Sequence, residues 1–359
     1  MKKETLLYDT RDGGKVQCHT CANECVIAEG KHGICETRVN TGGKCYSLIY
    51  GELSAEAIDP VEKKPMFHFY PGNDIYSVSS AGCSFKCLNC QNYHLSQVKG
   101  NGEEKASFTT SGTPMPLRYK SPADLVRSVE ESGCKLLAFT YNEPMIWLEY
   151  VIDVGKIAHE RGIKTVLVTN GYTTPRALAL MLPHVDGANV DIKAFDVAFH
   201  KKVCKVPDFK PVIDCVKTMH EHGKAVEITN LIIPTLNDSP EMIKKLCEWL
   251  VTNVGKAIPL HFSAYHPDYE LDLPPTPVET LLAARKIATD MGLVNVYVGN
   301  ARVQGGEDTL CPNCKTVVVA RRGFSITELR LDKDNKCTSC GTSINIIGEA
   351  KKSGARFLW

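Results

Sequence analysis

Nowhere in the 359 residues do eighteen apolar residues run together, so the sequence offers no segment to span a bilayer. The opening Met1-Lys2-Lys3-Glu4-Thr5 lacks an apolar run long enough for a secretory signal. Charge of one sign is not in excess either: 42 basic residues face 41 acidic ones, which advertises no polyelectrolyte partner. Cysteine, by contrast, is abundant, at sixteen residues. That is too many for an ordinary reduced enzyme, in a chain much longer than a disulfide-scaffold domain. Reduced thiols, metal ligation and a cytoplasmic, anaerobic setting are the expectation.

Most of the cysteines fall into three groups: Cys18, Cys21, Cys25 and Cys35; Cys83, Cys87 and Cys90; and Cys311, Cys314, Cys337 and Cys340. Cys45, Cys134, Cys204, Cys215 and Cys247 show no pairing logic, and the last four sit in apolar or helical surroundings that suit core packing. The middle group, in Ala81-Gly82-Cys83-Ser84-Phe85-Lys86-Cys87-Leu88-Asn89-Cys90, is spaced C-x3-C-x2-C and follows an apolar, strand-like run at Ile75–Ser80. Three thiolates on one short loop can hold three irons of a cubane cluster, and no fourth cysteine lies nearby to close it. The iron left without a protein ligand is a place for a substrate. Structural zinc wants four ligands in pairs, which the triplet does not supply, and Cys87 and Cys90 are too close for a comfortable disulfide.

Between Ile75 and Asn300 strand-like and helix-like segments alternate. Apolar runs fall at Ile75–Ser80, Leu136–Thr140, Thr165–Thr169, Ala188–Ile192, Ala225–Ile233, Leu260–Ala264 and Asn295–Val298. Amphipathic stretches separate them, at Ser121–Glu131, Met145–Glu160, Pro175–Leu182, Val212–His222, Pro240–Val251 and Pro277–Met291. The alternation predicts a parallel sheet covered by helices. Six or seven strands are too few for a closed eight-fold barrel, so an α/β fold with a partial, open barrel is the natural fit. Polar clusters follow successive strands: the triplet, then Thr140-Tyr141-Asn142-Glu143-Pro144, Thr169-Asn170-Gly171-Tyr172, Asn189-Val190-Asp191-Ile192-Lys193, Thr229-Asn230, and Ser263-Ala264-Tyr265-His266-Pro267. Barrel enzymes gather their chemistry at that end of the strands.

With those loops in view, the chain resembles the radical S-adenosylmethionine (SAM) superfamily. The resemblance is to the glycyl-radical-enzyme (pyruvate formate-lyase) activating enzymes and, closer still, to the radical SAM member of the AmmeMemoRadiSam system. It is carried by GCSFKCLNCQN, TYNEP, VTNGY, NVDIKAF, EITNLIIPTLND, HFSAYHPDYEL and the cysteine groups at either end. It implies a partial (β/α)6 TIM-like barrel over 61–300, flanked by cysteine-rich metal modules over 1–60 and 301–359. It also implies a [4Fe–4S] cluster on Cys83, Cys87 and Cys90, the catalytic set, with SAM contacts from Asn142, Glu143, Thr169, Asn170, Asp191, Lys193 and His266. The activity implied is reductive cleavage of SAM to methionine and a 5′-deoxyadenosyl radical that abstracts hydrogen from a substrate. A flavodoxin- or ferredoxin-type one-electron donor is the implied partner, together with the other AmmeMemoRadiSam-system proteins. Asn89, Phe85 and Leu88 are candidates to shield the cluster.

The N-terminal set, C-x2-C-x3-C-x9-C in a glycine-rich stretch, needs a metal because so short a segment has little core of its own. Zinc and a second iron–sulfur cluster are both chemically acceptable there. His19 and His32 read as loop histidines beside a complete cysteine set. At the C-terminal end two C-x2-C knuckles flank a hairpin-like stretch, Thr316–Arg322 and Ile326–Leu331, which reads as a zinc ribbon or rubredoxin-like module with zinc favoured. Its Arg321, Arg322 and Arg330 make only a thin basic patch for nucleic acid. Two function classes follow: chemistry on a small molecule, or activation of a protein partner by installing a glycyl radical. Val168 stands where the activases carry an aspartate in the TNG loop, which argues for the first.

Overall fold

The computed structural model describes residues 1–102 and 107–353; residues 354–359 of the expected C-terminal module lie outside them. Its centre is an eight-stranded sheet whose order follows the chain. Strand β1 (Ala55–Pro60) pairs antiparallel with β2 (Asp74–Ser79). Six strands then follow β2 in parallel: β3 (Leu136–Phe139), β4 (Lys164–Thr169), β5 (Gly187–Asp191), β6 (Ala225–Ile232), β7 (Leu260–Ala264) and β8 (Val296–Gly299). Six helices connect the parallel strands: α1 (Pro122–Glu131), α2 (Leu148–Glu160), α3 (Pro175–Met181), α4 (Lys210–Glu221), α5 (Pro240–Asn253) and α6 (Val278–Asp290). The fold is therefore six β–α units, a seventh parallel strand and one antiparallel edge.

Strands covered on both faces must be apolar nearly throughout, and Leu136-Leu137-Ala138-Phe139 is buried at every position. The helices carry local start signals. Ser121, Thr174 and Ser239 each accept a hydrogen bond from the third residue onward, and each is followed by proline. The hydroxyl satisfies an orphan backbone N–H, while proline has none to satisfy. Leu125, Val126 and Val129 then form the inward face of α1, each contributing about 1.5–3 kcal/mol on burial. Among the described residues no helix is long and apolar enough to cross a membrane.

Strands β1 and β8 are not paired with each other, so the barrel is open along one seam. The segment between β1 and β2 fills the interior there. Asn189 of β5 donates to Pro65 O at 2.9 Å, and Glu227 of β6 accepts from the Phe67 and His68 amides at 3.0 and 2.7 Å. His261 of β7 lies 2.8 Å from the same carboxylate. The C-terminal hairpin, Val317–Arg322 with Ser325–Leu329, covers the seam from outside. Arg321 donates to Phe67 O at 2.8 Å and stacks on the Phe67 ring at 4.2 Å. His68 bridges Tyr297 Oη of β8 and Asn345 O. The N-terminal cysteine-bearing strands dock on α2 through Arg38, which makes a two-pronged pair with Glu149 at 2.8 and 2.9 Å.

Candidate metal centres and active site

The Cys83–Cys90 loop leaves β2 at the end where its neighbours also release polar residues. Gly82 (φ 83°) begins it, in a conformation that favours glycine, and a side chain there would meet Cys35 O at 2.4 Å. The loop is braced from behind: Lys86 N and Leu88 N donate to Cys204 O and Val203 O at 3.1 and 3.0 Å. Those acceptors belong to a single π-turn, His200–Cys204, of the kind that recurs at functional sites. Cys83 Sγ accepts from Phe85 N at 3.4 Å and faces Asn170 Nδ2 at 3.7 Å, while Cys90 Sγ lies 3.0 Å from Ser96 Oγ. Contact with the Cys204 thiol, then burial, raises the Cys87 thiol, and burial raises those of Cys83 and Cys90. Metal binding must therefore displace protons.

One ion with bonds of about 2.3 Å would draw tetrahedral sulfurs to about 3.8 Å of one another. Among the described residues, the only group of three or more His, Cys, Asp or Glu ligand atoms within 4.8 Å of each other is Cys311, Cys314, Cys337 and Cys340. There Cys311–Cys340 and Cys314–Cys337 are 3.5 and 3.7 Å apart, a single-ion geometry. The Cys83 triplet is spread more widely, as a multi-iron cluster requires, and opens on a cavity of about 480 Å³. The residues fit that group.

Asn142, Glu143, Thr169, Asn170, Asp191 and Lys193 all line this cavity with the three cysteines. Glu143 is buried, and accepts from Thr169 Oγ1 at 2.6 Å, Asn170 N at 2.8 Å and Met145 N at 2.9 Å. It thus caps the turn Pro144–Trp147 as well as facing the cavity. Burial pushes its pKa up to about 7. Asn142 spans the base of the cysteine loop, from Ser80 N to Gly82 O. Lys193 pairs with Asp191 at 2.6 Å. His266 is not among the lining residues; it is exposed, with Nε2 2.9 Å from Nε2 of Gln91, which does line the cavity. Phe85 packs edge-on to Tyr172 at 5.1 Å, and it and Asn89 also line the cavity.

Two residues outside the predicted set, Lys64 and Tyr141, complete the wall, and Asp59, which is not in the wall, holds both of them. Lys64 is 1% exposed, lines the cavity, and donates to Asp59 Oδ2 at 2.6 Å. Tyr141, which also lines it, donates to the same oxygen at 2.5 Å from a backbone φ of 69°. A non-glycine residue held there costs roughly 1–3 kcal/mol. Burial pushes the Lys64 pKa down to about 8. Burial opposes ionisation of Asp59, but the Lys64 ammonium wins and holds the carboxyl well below its ordinary range. The available hint was the charged run Glu62-Lys63-Lys64 between Val61 and the apolar Pro65-Met66-Phe67.

The radical SAM superfamily model matches residues 77–250, the stretch that builds the cysteine loop and most of this wall. The chain belongs to the radical SAM superfamily. Membership implies a [4Fe–4S] cluster, SAM and a reductant. An uncharacterized protein of Methanocaldococcus jannaschii is 40% identical over 347 residues, spanning 96% of this chain and 99% of that protein. The pyruvate formate-lyase-activating enzyme of Clostridium pasteurianum is 29% identical over 185 residues, 52% of this chain and 72% of that enzyme. A solved domain of the pyruvate-formate lyase-activating enzyme of Bacteroides vulgatus superposes with a TM-score of 0.41 at 21% identity, over 45% of this chain and 98% of that one. This radical SAM enzyme thus has activating-enzyme homologues at modest identity.

Proposed function

We propose that this radical SAM enzyme abstracts hydrogen from a small polar molecule held in the barrel cavity. The observation that carries the reading is that Lys64 and Tyr141, both hydrogen-bonded to Asp59 behind them, line the same cavity as the cysteine loop. Burying a charged pair costs several kcal/mol per ion unless geometry and further hydrogen bonds repay it. A polar substrate group reaching Lys64 and Tyr141 gives that expense a use. The cavity size is also in the range of small-molecule sites.

In this reading Cys83, Cys87 and Cys90, which line the cavity, would hold the cluster. The cluster and SAM, when bound, supply one-electron cleavage of a carbon–sulfur bond and hence a hydrogen-abstracting radical. The residues do the positioning. Glu143 has lone pairs to spare for the SAM ammonium, and Lys193, steadied by Asp191, faces the carboxylate. Asn170 donates toward Cys83, and Phe85 with Tyr172 keeps water from the cluster side. A flavodoxin- or ferredoxin-type protein is the proposed electron source.

The activating-enzyme homologues support a second reading, a glycyl radical installed on a protein, and Val168 in the cavity wall weighs against it. Extracts of cells grown in heavy water separate the two. Reduced holoenzyme with SAM and the low-mass fraction should transfer deuterium into 5′-deoxyadenosine, read by mass spectrometry. Deuterium arriving only from the macromolecular fraction would establish the activase reading instead.

A further inference from the structure

The four N-terminal cysteines line one small cavity, together with Thr20, Ile27, Gly33, Arg38 and Ile146. They face a common space, yet no three of their sulfurs converge within 4.8 Å, as the C-terminal set does. That wider spacing favours a polynuclear site over a mononuclear one. Each sulfur has a polar neighbour. Thr20 Oγ1 lies 3.5 Å from Cys18, Asn23 Nδ2 3.8 Å from Cys21, Ile34 N 3.4 Å from Cys25, and Thr37 Oγ1 3.3 Å from Cys35. Hydrogen bonds to sulfur are a means of setting a cluster's potential.

Arg38 points to the ligand independently. It is 1% exposed and lines the cavity, and its two terminal nitrogens are spent on Glu149 and Ile146 O. Its Nε has no hydrogen-bond partner. An orphaned, buried donor on a cation asks for an anion, and a thiolate-ligated cluster is one.

The set also abuts the barrel loop. Asn23 Nδ2, beside Cys21, donates to Ser84 O at 2.7 Å, one residue from Cys83. Cys35 O packs on Gly82, the residue before Cys83. On the outer side, Val26 and Ile34 are 58% and 45% exposed, so the module's other edge reaches solvent beside Cys25.

We propose that Cys18, Cys21, Cys25 and Cys35 hold a second [4Fe–4S] cluster, and that it relays electrons to the one in the barrel. One electron from a low-potential ferredoxin- or flavodoxin-type donor takes it from the 2+ to the 1+ state. The same electron then leaves for the barrel cluster and restores the 2+ state, and no bond or proton changes hands. The second site stands on its own geometry, whereas the relay rests on the SAM-cleaving function proposed above.

The variant Cys83→Ala/Cys87→Ala/Cys90→Ala tests the site without SAM chemistry. Purified without oxygen, it should keep about four irons and four sulfides per chain. On one-electron reduction it should show a spin-½ resonance that SAM leaves unshifted, because no iron is open. A second zinc in place of that iron, or a Cys18–Cys45 disulfide, would overturn the assignment. For the relay, Cys25→Ser should slow 5′-deoxyadenosine formation at least tenfold with reduced ferredoxin as donor, but leave the dithionite-driven rate near wild type. Equal effects with both donors, with barrel iron retained, would overturn the relay. If wild-type protein makes no 5′-deoxyadenosine with dithionite, the proposed function fails while the iron count still decides the site.

Discussion

At the scale of single residues, the loop chemistry could be read from sequence because it sits at strand ends, where Glu143, Thr169, Asn170, Asp191 and Lys193 reach one cavity. Asp59 and Lys64 could not, since they lie before the first parallel strand and no periodicity reports that a loop threads a barrel. Nor does sequence show that Glu143 is already satisfied by three donors. In Glu143→Gln the amide nitrogen would face Asn170 N–H, donor against donor, so stability should fall by about 1–3 kcal/mol. If the carboxylate also takes the SAM ammonium, affinity should drop roughly ten- to a hundred-fold. Thr169→Val removes a brace on Glu143 and one predicted SAM contact but no charge, so it should lower melting temperature and weaken SAM binding less than Glu143→Gln does. Equal losses of SAM affinity in both variants, by titration of the reconstituted proteins, would reduce Glu143 to a brace.

At the scale of elements, the seven parallel strands were legible within a residue or two because runs such as Leu136–Phe139 are apolar throughout. Strand β1 was not. Ala55-Glu56-Ala57-Ile58-Asp59-Pro60 is charged and ends in proline, the profile of an edge that needs pairing on one side only. The seam beside it is held by His68, whose pKa burial pushes down to about 4 although Glu227 pulls the other way. A histidine depressed on folding binds its proton more readily when unfolded. Stability therefore falls as pH drops from about 6.5 toward 4, and levels off below. Wild type should lose up to roughly 3 kcal/mol more than His68→Gln over that window; parallel denaturation curves would mean His68 titrates normally. The knuckles offer a second test. Cys340→Ala should release about one equivalent of metal and loosen the hairpin while barrel iron persists. Elemental analysis that finds zinc there supports a ribbon, and iron a rubredoxin-like centre.

At the scale of the whole molecule, alanine at Cys83, Cys87 or Cys90 should abolish 5′-deoxyadenosine formation, and an undiminished yield from any of them would remove the barrel cluster from the reaction. The sequence motifs marked out the Cys83 loop, but not the way three cysteine groups share one body: one flanks that loop, another's hairpin shuts the seam. That last contact has a consequence for biosynthesis. The eight strands are laid down in chain order, so the sheet can assemble progressively as the polypeptide emerges from the ribosome. Arg321, however, cannot cover Phe67 until more than 250 further residues have been made. Through that interval the seam lacks this cover, and it is closed only when the hairpin docks.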